Sequence, residues 1–143
     1  MKKIFTILAV VLVSLTNAQE CAIQAEDDFG ADAATSKKYI GLYSSYLKQK
    51  SYKDAAIFWW QAKAAAPKYK PNLYSNGVSI YQKLAGAAKK AKDTLKTKEL
   101  ADSLFIVYDL WTEAYGDCYK VQMKYANDRV KYYPRRTDFI CWI

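Results

Sequence analysis

The residues that could do chemistry form a short list. The chain has 143 residues, three cysteines and no histidine. Without histidine there is no Ser-His or Cys-His nucleophile pair, no imidazole base and no imidazole metal ligand. No CxxC, glycine-rich phosphate loop or HExxH motif is present. Proton transfer is left to Asp, Glu, Tyr and Lys. The densest carboxylates, Glu26, Asp27 and Asp28, fall in a weakly patterned stretch that carries no pocket motif, so an enzyme ranks last among the readings. Thirteen tyrosines and four tryptophans offer rings that could stack on sugars. The three thiols, Cys21, Cys118 and Cys141, allow one bridge and leave one over, and all three pairings are open.

Charge points to a partner class more than to a reaction. The net charge is +8. A basic balance often marks nucleic-acid binding, but the lysines are scattered and no nucleic-acid motif accompanies them. Acidic protein surfaces or anionic envelope polymers suit them better, unless they only solvate helix faces. The first 18 residues argue for export. Met1-Lys2-Lys3 is a positive start, Ile4 to Leu15 is an apolar run too short to span a bilayer, and Thr16-Asn17-Ala18 provides a cleavage site after Ala18. Gln19 and Glu20 separate that site from Cys21, so a lipid-anchored cysteine is not expected. The mature chain loses Lys2 and Lys3 and no acid, leaving 20 cations against 14 anions and a net +6. A bacterial periplasmic, envelope or secreted protein is the expectation, without a membrane span in the mature chain and without a cofactor or metal.

The elements that must position these residues are helical. Ala, Lys, Leu, Gln and Tyr dominate, with five Gly and three Pro, and the alternation of strands is missing. Residues 19–35 read as an arm or a short helix. A helix is expected from Ser36 to about Lys50, with Tyr39, Leu42, Tyr43, Tyr46 and Leu47 at helical spacing. Ser51 with Asp54 resembles a capping box, and the second helix stops at Pro67. Pro71 suits the first turn of a third helix. The lysine-rich stretch 85–98 either extends that helix or forms a solvated loop, and a fourth helix begins at Thr97 or Lys98. Gly116 is a candidate C-terminal cap and Asp117 a candidate N-cap for a fifth helix, in which Tyr119, Met123, Ala126 and Val130 recur at three or four. Pro134 opens a tail, 134–143, with an apolar end.

Trp59 and Trp60 sit among alanines in "SYKDAAIFWWQAKAAAP", and their setting resembles the tetratricopeptide (TPR) repeat, a helix–turn–helix unit of about 34 residues. Tyr39, Leu42, Tyr46, Ala55, Trp59, Ala62 and Pro67 fall on the repeat's landmarks, and Tyr43 stands where a small residue is usual. Tyr74, Gly77, Val78 and Tyr81 echo the first-helix pattern again, with Ala101, Phe105 and Tyr108 on the following helix. Residues 117–133 would open a third unit with no second helix to follow. The resemblance implies an all-α fold over 36–133: antiparallel helix pairs stacked as a short TPR-like α-solenoid of about five helices. It places Trp59 between the two helices of one unit and turns Trp60 towards the next unit's first helix or towards solvent. It implies a protein-binding scaffold or adaptor that takes a peptide segment of an envelope partner in a groove lined by first helices. Carried onto this chain, the groove residues are Lys37, Ile40, Ser44, Leu47, Lys48, Tyr74, Val78, Tyr81, Lys120 and Lys124. The alternative is a small secreted carbohydrate- or cell-wall-binding protein. Exposed, coplanar rings would favour it, and rings buried between helices would count against it.

Overall fold

The computed structural model describes residues 27–116 and 118–134. The expected signal peptide, Cys21, Asp117, Cys141 and the end of the tail lie outside the described residues. Within them the protein is all-α: α1 (Ala33–Lys48), α2 (Tyr52–Ala65), α3 (Pro71–Lys90), α4 (Thr94–Tyr115) and α5 (Tyr119–Tyr132). None of these helices is long and apolar enough to cross a membrane. Consecutive helices pack on one another, most extensively as α1 with α2 and α3 with α4.

Local chemistry sets each boundary. α1 begins three residues before the expected Ser36 because Asp32 is its N-cap, its carboxylate accepting from the Thr35 N–H at 3.0 Å. Hydrogen bonding from the Thr35 side chain, then from this N–H, holds the Asp32 carboxyl below its ordinary value. Ser51 does precede α2, but its hydroxyl donates to Asp54 at 2.6 Å and does not cap a backbone N–H. Pro71 occupies the first turn of α3 as expected. The lysine-rich stretch turns out to be helix almost throughout: α3 continues to Lys90, and Asp93 caps α4 by accepting from the Lys96 N–H at 2.9 Å. Gly116 ends α4 with φ +79°.

The α1–α2 and α3–α4 links are one turn made twice. In the first, the Lys50 N–H donates to the Leu47 carbonyl and the Ser51 N–H to the Tyr46 carbonyl. In the second, Lys92 donates to Lys89 and Asp93 to Ala88 in the same pattern. This is the Schellman closure, which requires a left-handed residue after the C-cap. Lysine takes that place both times, at φ 60° in Lys50 and 59° in Lys92.

The core runs along the α2–α3–α4 seam. Trp59, Leu73, Tyr74, Ile80, Leu104, Val107 and Tyr108 are its largest buried side chains. Trp59 reaches forward to α3: its indole N–H donates to the Leu73 carbonyl at 2.7 Å, and its ring fills the space beside Gly77. A Cβ on residue 77 would come within 2.5 Å of that ring, so glycine is what lets α2 and α3 approach. Trp60 also turns to α3, donating to the Tyr81 hydroxyl at 2.6 Å, and it meets Trp59 edge-on. Adjacent residues on a helix point about 100° apart, so the two rings hold neighbouring parts of one helix. Tyr43, in a position expected to be small, is buried and accepts from the Asn76 side chain of α3 at 3.4 Å.

Candidate functional site

The ten residues expected to line a groove divide in three. Tyr74, Val78 and Tyr81 are buried, which corrects their assignment to an open face. α3 is covered by α2 on one side and α4 on the other, so the face that was to line a groove is core. The Tyr74 ring packs against Trp59, Trp111 and Tyr115, and its hydroxyl donates to the Pro67 carbonyl at 2.7 Å. Lys37, Lys48, Lys120 and Lys124 are exposed, while Ile40, Ser44 and Leu47 are half-buried. Lys37 and Lys48 stand near opposite ends of α1, about 16 Å apart along its axis, and Lys37 lies over the Phe29 ring. Lys120 and Lys124 are one turn apart on α5. Lys124 lies over the Trp111 ring, its ammonium 6.0 Å from the centroid.

The feature that sequence reading undervalued is the outer face of α5. The row Tyr119, Met123, Ala126 and Val130 has the periodicity of a core stripe, but it points outwards. Tyr119 is 68% exposed, Met123 48% and Val130 70%, and Ala126 is exposed as well. The inward face of α5 is a different set: Val121 and Asp128 are buried, Tyr125 and Tyr132 half-buried. This inner row, Val121, Tyr125, Asp128 and Tyr132, has the same spacings of four, three and four as the outer one, so periodicity alone did not choose between the two faces.

Asp128 settles which face turns inward. Its carboxylate accepts from the Gln82 amide of α3 at 2.6 Å and from the Tyr108 hydroxyl of α4 at 2.8 Å. A buried carboxylate needs such donors, because unpaired it would cost several kcal/mol. Burial, then this bond, pushes the pKa of Tyr108 far above its ordinary value. Tyr132 donates to the Gln82 carbonyl at 3.4 Å and Lys89 to the Lys131 carbonyl at 2.9 Å. Cys118, just before α5, is buried and disulfide-bonded.

Charge flanks the outer row on one side. At 100° per residue Lys120, Lys124 and Lys131 fall on one line beside it. Asp128 is the only acid of α5, and it is buried. A groove of about 490 Å³ borders the row on its other side, lined by Gln122, Tyr125, Ala126, Arg129, Val130 and Tyr133, with Pro134 at its edge. The arrangement can bind an apolar surface that carries negative charge. Among the described residues no group of three or more His, Cys, Asp or Glu is placed to hold a metal ion.

The fold and this face define an all-α protein with an exposed apolar row beside a lysine ridge. No protein-family model, curated protein or solved structure matches the chain.

Proposed function

We propose that this protein is an exported, TPR-like helical adaptor that works by docking a segment of another protein and has no chemistry of its own. The observation that carries the reading is the outward apolar row of α5 with lysines along its edge. A contiguous row of exposed apolar side chains on one helix face, rimmed by polar residues, marks an interaction surface. Export draws support from Cys118, because disulfides persist in oxidising compartments outside the cytosol. The tetratricopeptide reading draws support from the twin turns, which close α1–α2 and α3–α4 into pairs of one design. The sugar-binding alternative loses ground: Trp59 and Trp111 are buried, and Trp60 is tied to Tyr81.

A crosslinking pull-down from the native cell envelope tests the proposal. One bait is the tagged chain; the other carries Lys37, Lys48, Lys120 and Lys124 changed to Glu. A dominant protein partner lost with the second bait is the expected result. Retention of cell-wall polysaccharide with no specific protein would overturn it.

A further inference from the structure

The twin turns leave α5, among the described residues, without a partner helix of its own. α1 is closed onto α2 and α3 onto α4 by the same Schellman turn. α5 follows as the first helix of a third pair, anchored on its inner face by Asp128, Val121 and Tyr132. Its outer row, Tyr119, Met123, Ala126 and Val130, has spacings of four, three and four. That is the spacing of an apolar seam along which another α-helix packs. The row rises about 16 Å along the axis, three turns of helix.

We infer that this face receives an amphipathic α-helix of a partner protein whose apolar stripe is bordered by Asp or Glu, and that this helix completes the third pair. The inference rests on the docking reading above and names the partner's chemistry. Charge selects the occupant. The ridge Lys120, Lys124 and Lys131 has no exposed acid on α5 to balance it. A second copy of α5 would set this ridge against itself, and like charges facing each other disfavour association. The chain's own residues 135–143 carry Arg135 and Arg136 against the single acid Asp138, a net positive charge that a lysine ridge does not select. An acidic helix meets neither obstacle, and a carboxylate row opposite the lysines also fixes its direction.

The test uses the full chain and two fluorescent synthetic helices of about four turns, followed by anisotropy. Both carry the same Leu row; one is flanked by Glu, the other by Lys. The Glu peptide is expected to bind at least about tenfold more tightly. Met123→Asp and Val130→Asp, both at exposed positions, should reduce that binding by about tenfold with the melting temperature unchanged. The triple change of Lys120, Lys124 and Lys131 to Glu should reverse the preference. Equal binding of the two peptides, or binding indifferent to Val130→Asp, overturns the inference. So does a wild-type dimer that Val130→Asp dissolves, which would make the occupant a second copy. Binding seen only after residues 135–143 are removed overturns it too, in favour of the tail. If the envelope pull-down yields a partner whose crosslinks map to Lys37 and Lys48 on α1, the adaptor reading stands and this face is excluded. If it yields no protein, the adaptor reading itself fails.

Discussion

Gly77 shows how one missing methyl group governs the packing of two helices. Its place is filled by Trp59, which is fully buried and held by its bond to the Leu73 carbonyl. Gly77→Ala would drive a Cβ to 2.5 Å from the indole, and the ring has no free direction in which to yield. Overpacking of this kind costs about 1–3 kcal/mol. The expected result is a lower urea midpoint at an unchanged slope. Gly41 is the internal control. It lies mid-helix on α1, and a Cβ there would meet nothing within 4 Å, so Gly41→Ala should raise stability by about 0.5–1 kcal/mol through helix propensity alone. If both substitutions move the midpoint in the same direction, close approach is not what residue 77 provides.

At the scale of the element, the repeated turn carries its own cost. A non-glycine residue in the left-handed region is strained by about 1 kcal/mol. Lys50→Gly and Lys92→Gly should therefore each raise the melting temperature, although glycine is the poorer residue nearly everywhere else; a drop in either would show that the lysine side chain contributes more than its backbone loses. Among the described helices α5 packs most lightly on the others, and side-chain hydrogen bonds hold much of its inner face. Its amides should exchange with deuterium well before those of α3. Equal protection would mean that α5 opens only with the whole fold. These elements also show where sequence reading succeeds. Pro67, Pro71 and Gly116 act through backbone geometry that no tertiary context alters, so the boundaries at them were legible. The link inside the lysine-rich stretch was not, because Asp93 is an ordinary-looking cap within a run of good helix formers. The buried state of Tyr74, Val78 and Tyr81 was not legible either. Helical spacing says that a face is apolar, not how many neighbours cover it. For the same reason the stripe on α5 could be read while its outward direction could not.

For the molecule as a whole, burial of tyrosine hydroxyls sets the alkaline limit. Burial, then the charge of Asp28, pushes Tyr115 up to about 12. Burial also pushes Tyr74 and Tyr108 well above the ordinary value of 10.0. These groups keep their protons in the folded state after the unfolded chain has lost them. Their contribution to stability is therefore complete below pH 10.0 and falls as the pH rises through the folded values. Near-ultraviolet titration should show exposed tyrosines ionising first and a late, cooperative step that coincides with unfolding; ionisation of every tyrosine near 10 with the fold intact would refute the buried assignments. The two lysine-bearing turns have a separate consequence. They lie at the same end of the helices, where Lys89 also meets the C-terminal end of α5. Lys48, Lys50, Lys90, Lys92 and Lys131 lie at that end together with Asp54 and Asp93, and the opposite end likewise mixes Asp27, Asp28 and Glu113 with Lys63 and Lys70. Three of the five helices, α1, α3 and α5, bring their C-terminal ends to the double-turn end and two bring their N-terminal ends, so the macrodipoles cancel incompletely and leave a partial negative charge there. The lysines of the two turns stand at that negative pole and offset it.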